Sequence, residues 1–171
     1  MQNGFKHQFH TLDSGLRLVT IPMGSTKTAT FLVLGGTGSK YEDKRINGVS
    51  HFLEHMFFKG TTSRSVPGEI SRALDGIGAQ HNAFTSKEVT GYWVKAARVQ
   101  FHLALDVVSD ILTEPLLASE EIDKERGVII QELRMRNDDP ISRAGMLFER
   151  LLWGDQHAGW EIIGSEKTIN G

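Results

Sequence analysis

Apolar and polar positions change their period several times along this chain. Residues 9–12 and 16–21 form two short strand-like runs, and Asp13-Ser14-Gly15 between them reads as a tight turn, so a hairpin is predicted. Residues 29–34 are mostly apolar and predict a strand buried on both faces, broken by the Gly-Gly-Thr-Gly-Ser run at 35–39. After Asn47-Gly48 a helix-length segment runs towards Gly60. A second helix is predicted from Pro67 to Gly76, with Ile70, Ala73, Leu74 and Ile77 on one face. Residues 79–86 and 90–96 read as two strands joined by a polar turn, and residues 99–112 as an amphipathic helix. Ser119 is the predicted N-cap of a long helix reaching about residue 137, with Glu120, Glu121 and Asp123 complementing its dipole. A last helix is predicted over about 141–152. This order is not a steady βαβ alternation. It predicts an α+β fold: a mostly antiparallel mixed sheet with helices packed on one face.

Composition narrows the partners. A chain of 171 residues suits one domain. Its 19 basic and 21 acidic side chains nearly cancel, which leaves no electrostatic footprint for nucleic acid or an anionic membrane. No apolar run approaches the roughly 18–20 residues that span a bilayer. The N-terminal MQNGFKHQFH lacks the apolar core of a secretory signal, so a cytoplasmic location is the expectation. There is no cysteine, so any bound metal must be held by His, Asp or Glu.

The chemistry-bearing pattern is His51-Phe52-Leu53-Glu54-His55. On a helix, His51 and His55 lie about 40° apart on one face, one turn from each other, so both imidazoles can reach one metal ion. Glu54 lies about 60° to the other side of His51, close enough to face a metal-bound water and act as general base. Zinc accepts such nitrogen ligands and lowers the pKa of its water toward ~7. This is the H-x-x-E-H arrangement, the reverse of H-E-x-x-H. Val49, Phe52, Leu53, Met56 and Phe57 surround it, and burying two imidazoles and a carboxylate there without partners is costly.

A catalytic zinc needs a third protein ligand. His81, His102, Glu120, Glu121, Glu125 and Glu132 are all available, and spacing alone does not choose among them. Glu125 and Glu132 are seven residues apart on one helix face, about 10 Å along the axis, so both cannot bind one ion. If Glu132 is a ligand, Glu125 is placed to orient a ligating imidazole from behind.

The segments Gly-Ser-Lys-Tyr-Glu at 38–42, Asn-Gly-Val-Ser-His-Phe-Leu-Glu-His-Met-Phe-Phe-Lys-Gly-Thr at 47–61, Asn-Ala-Phe-Thr at 82–85 and Glu-Arg-Gly-Val-Ile-Ile-Gln-Glu at 125–132 closely resemble the pitrilysin-type inverzincin zinc metallopeptidases. That family includes bacterial processing proteases, the mitochondrial processing peptidase and insulin-degrading enzyme. Its third-ligand Glu stands 77 positions after the second His, and 55 plus 77 is 132. The resemblance implies His51, His55 and Glu132 as zinc ligands, Glu54 as the base that activates the zinc-bound water, and Glu125 as the carboxylate behind them. It implies Asn82 and Ala83 on an edge strand that pairs with an extended peptide substrate.

The resemblance also sets expectations for organisation. Residues 1–171 match the family's N-terminal catalytic half-domain. The family's half-domain continues past positions like Gly164 and Ile169 into a further helix and strand, so the chain reads as cut short before them, without the family's second domain. The expected function is a zinc metalloendopeptidase acting on extended or unfolded peptides. The alternative is an isolated or split zinc-binding domain or scaffold that needs a partner domain, or a second copy of itself, for turnover.

Overall fold

The structure, a computed structural model, describes residues 6–171. The N-terminal reading falls partly on residues 1–5, outside the described residues. Five strands and six helices follow in the order β1 (Gln8–Thr11), β2 (Arg17–Thr20), β3 (Thr28–Gly35), α1 (Val49–Phe57), α2 (Glu69–Asp75), β4 (Gln80–Thr85), β5 (Thr90–Ala97), α3 (Phe101–Thr113), α4 (Ser119–Asp138), α5 (Pro140–Trp153) and α6 (Glu166–Asn170).

The fold is α+β, as the element order predicts. β1 and β2 form the hairpin, with Phe9 opposite Val19. The main sheet has the order β3-β5-β4, antiparallel throughout, so β4 is an edge strand. Its inner face carries Phe31 and Val33 from β3, Tyr92, Val94 and Ala96 from β5, and Ala83 from β4. These pack against Ile70 and Leu74 of α2 and Ala104, Val107, Val108 and Ile111 of α3. Removing this apolar area from water at about 25 cal/mol per Å² is the main force holding the layers together.

A second, smaller cluster joins the metal-motif helix to the long one. Ile129 and Leu133 of α4 meet Ile163 and Ile169, with Phe52 of α1 against them. The i, i+4 spacing of Ile129 and Leu133 puts both on the α4 face that looks at α1. That same face carries Glu125 and Glu132.

Three local expectations need correction. β3 is not buried on both faces: exposure alternates along it, and Leu32 and Leu34 are about half exposed. Helices cover only one side of the sheet, so the outer positions of this apolar run face outward. Ser119 is not the N-cap of α4. Ala118 holds that position in an extended conformation, and Ser119 is already helical, while Glu120 and Glu121 do sit in the first turn. The short α6, closed by a Ser165–Thr168 capping box, was hidden by its five-residue length. α5 begins as the sequence suggests, with Asp139 accepting from the Ser142 N–H at 2.9 Å and Pro140 in the first turn.

Candidate metal centre

The centre is built where α1 crosses α4. α1 is fixed at its N-terminus by Glu42, a buried residue that sequence reasoning noticed only as part of a resembling segment. One Glu42 oxygen accepts from the Gly48 N–H (2.7 Å) and Asn47 Nδ2 (3.0 Å), and the other from the Ser50 N–H (2.8 Å). A carboxylate there satisfies amides that the helix cannot, at the positive end of its dipole. Gly48 itself adopts φ of 101°, and a Cβ on it would lie 2.6 Å from the Ile163 carbonyl oxygen. The Ile163–Gly164 segment therefore packs directly on the start of the helix. Glu42→Gln turns a donor towards amides that need an acceptor. It is expected to destabilise the fold by about 1–3 kcal/mol, read by denaturant unfolding.

One helical turn places His51 and His55 together, with ring centroids 4.7 Å apart. Glu132 reaches across from α4. Its Oε2 lies 3.6 Å from His51 Nε2 and 3.6 Å from His55 Nε2. One ligand atom from each of the three residues lies within 4.8 Å of the others. Contacts of 3.6 Å are too long for hydrogen bonds. They are close to the spacing of ligand atoms around a tetrahedral zinc with bonds of about 2.0–2.2 Å.

The chemistry of the donor set also fits a cation. Glu125 Oε1 accepts from His55 Nδ1 at 2.8 Å. An ionised carboxylate only accepts, so Nδ1 carries the proton and a neutral His55 turns a bare Nε2 lone pair to the centre. His55 Nε2 and Glu132 Oε2 then converge as acceptors, and His51 Nε2 becomes a third when the His51 proton sits on Nδ1. His51 Nδ1 is buried with no hydrogen-bond partner among the described residues.

Burial alone would raise the Glu125 carboxyl, but hydrogen bonds from Lys59 and His55 outweigh it and hold the group below its ordinary value. Glu132 is also held low, chiefly by the His51 imidazole and against the effect of burial, with His55 and Arg136 adding to it. Both carboxylates are thus in the charged form that a metal site needs.

Glu54 stands outside this trio. Its Oε2 accepts from the Thr85 hydroxyl at 2.5 Å, at the end of β4. Burial, and secondarily the charge of Glu54, push the Tyr92 phenol upward, so Tyr92 stays a neutral neighbour of this carboxylate. Glu54 and His55 line an open cavity of ≈ 490 Å³ whose other walls include Phe58, Lys59, Asn82, Ala83 and Glu125. Asn82 and Ala83 therefore flank the same cavity from an edge strand. The Ala83 N–H donates to Asn82 Oδ1 (2.9 Å), its own neighbour.

The other histidines are elsewhere. His81 stacks on Phe58 and lies 3.6 Å from Asp75, and neither His81 nor His102 joins the trio. Glu121 reaches the cavity wall rather than the centre. Beyond Glu42, the structure adds Lys59 and Thr85. Lysine directly after a helix and threonine in a strand are ordinary in sequence, so neither gave a signal of its own.

A family model described as "Insulinase (Peptidase family M16)" matches residues 17–165. The chain belongs to peptidase family M16. An uncharacterized zinc protease of Streptomyces coelicolor is 42% identical over 160 residues, which are 94% of this chain and 35% of that protein. A protease from Helicobacter pylori has the same fold over 98% of this chain and 40% of its own, with a TM-score of 0.92 and 28% identity. The chain thus spans well under half the length of both of these proteins. An M16 inactive domain from Pseudomonas fluorescens also superposes, with a TM-score of 0.85 at 16% identity, over 95% of this chain and 40% of its own. That last likeness shows the fold alone. A fold does not fix an activity, so the side chains at the centre must carry the functional argument. Among the described residues, no helix is long and apolar enough to cross a membrane.

Proposed function

We propose that this chain is the zinc-binding catalytic part of an M16 metalloendopeptidase that hydrolyses peptide bonds in extended or unfolded peptides. The observation that carries this reading is the convergence of His51, His55 and Glu132 on one point, with Glu54 beside it and outside it. His51 Nε2, His55 Nε2 and Glu132 Oε2 are the zinc ligands. When bound, zinc supplies a Lewis acid and makes water a nucleophile near neutral pH.

The chain's own residues do the rest. Glu54 takes a proton from the attacking water and passes it to the leaving amine. The Thr85 hydroxyl fixes one oxygen of that carboxylate, which leaves the other to meet the water. Glu125 fixes the His55 ring. The outer edge of β4 offers backbone donors and acceptors to an extended peptide beside Asn82 and Ala83, with the Ala83 N–H passing from Asn82 Oδ1 to the peptide, so recognition is by main chain first and side chain second. That geometry suits a substrate with little secondary structure of its own.

Elemental analysis after reconstitution tests the reading. One zinc per chain is expected, and His55→Ala should lose it. A folded wild-type chain that takes up no zinc would overturn the proposal.

A further inference from the structure

Glu125 is almost wholly buried, yet only one of its oxygens serves His55. The other, Oε2, accepts from Lys59 Nζ at 2.5 Å. Lys59 lies two residues beyond the end of α1 and four after His55, and it is partly exposed on the wall of the cavity. The chain of contacts therefore runs Lys59, Glu125, His55, centre, crossing from α1 to α4 and back.

The terminal torsion of a glutamate is broad. With a single hydrogen bond at Oε1, the Glu125 carboxylate can swing and carry the His55 ring with it. A second donor on Oε2 fixes the carboxylate plane. It also compensates a buried charge that one imidazole N–H would leave half satisfied. Because the lysine and the carboxylate cancel, their joint field on a nearby cation is small, and orientation dominates.

Resting on the reading of this centre as a zinc site, we propose that Lys59 is a positioning residue of the metal centre. It clamps Glu125 and thereby holds His55 Nε2 on the ion. This role differs from that of a plain staple between α1 and α4, which would support the fold and leave metal affinity alone.

The test is zinc affinity by chelator competition on the full chain, with unfolding of the zinc-free protein measured in parallel. Lys59→Met is expected to weaken zinc binding roughly 10-fold or more, in the range typical of losing a group that supports a ligand. Lys59→Arg keeps a charged donor and should bind zinc more tightly than Lys59→Met. Glu125→Gln should weaken binding by roughly 10- to 100-fold, and adding Lys59→Met to it should cost nothing further, because the lysine acts through that carboxylate. Lys59→Ala serves as a second removal of the donor if Lys59→Met does not fold. Unchanged or tighter zinc binding after loss of Lys59, with or without lower stability, would overturn the proposal. So would a loss of the same size in the Glu125→Gln background. Absence of zinc binding in the wild type would instead strike the zinc reading itself.

Discussion

Glu54→Gln is expected to remove nearly all peptide hydrolysis while leaving zinc content unchanged. Loss of a positioned general base costs about 10²- to 10⁴-fold in rate. Gln matches Glu in shape and can still bond to the Thr85 hydroxyl, so α1 and the cavity should keep their geometry. An amide, however, cannot accept the proton. Zinc should remain because Glu54 contributes no atom to the trio of His51, His55 and Glu132. Glu132→Gln is the counterpart. It removes the one anionic member of that trio, so it should weaken zinc binding first and activity as a consequence. Measuring zinc content and single-turnover hydrolysis on both variants separates the roles. Loss of zinc from Glu54→Gln, with zinc kept in Glu132→Gln, would mean that the two carboxylates have been interchanged.

How much of this centre could be read from the sequence depends on how local each contact is. His51 and His55 are one helical turn apart, so helix geometry alone brings them together. Glu132 is 77 residues from His55, and its approach depends on how α4 docks on α1 through Ile129, Leu133, Ile163 and Phe52. Spacing left six candidates for that third position, and only the family resemblance selected one. Glu42 illustrates the opposite failure. A carboxylate seven residues before a helix reads as loop polarity, and its three hydrogen bonds exist only because the intervening turn folds back. The strand and helix positions were legible because their periods are strong. The exposure of Leu32 and Leu34 was not, since an apolar run is compatible with burial on one face or two. The cap of α4 failed for a related reason: residue type marks Ser119, but the backbone turns one residue earlier, after Leu117 at a positive φ of 45°.

Supplied with the remainder of an M16 protein, this chain is expected to turn over peptides far faster than it does alone. The proposed zinc ligands and base are necessary for this reaction, but the tetrahedral intermediate also needs donors for its oxyanion, and the substrate must be held in register and shielded from water. Here the centre lies open: Glu132 keeps a side-chain exposure of 36%, and the cavity beside β4 opens to solvent. The length comparison points the same way, because this chain covers only 35% of its Streptomyces relative. Apolar surface is also uncovered. Ile141, Phe148 and Leu151 of α5 and Phe9, Leu16 and Val19 of the hairpin are all more than half exposed. Such surface favours association, either with a complementary domain or with a second copy of the chain. The measurement is steady-state hydrolysis of an unstructured peptide at full zinc occupancy, with and without the complementary part of a longer relative, together with the oligomeric state. Turnover well below the roughly 1 per second of complete enzymes is expected for the chain alone. A rise of about 10²- to 10³-fold is expected on adding the complement, the size of effect that one oxyanion donor provides. Turnover near 1 per second without any complement would show that this chain, alone or as a homodimer, already holds every group the reaction needs.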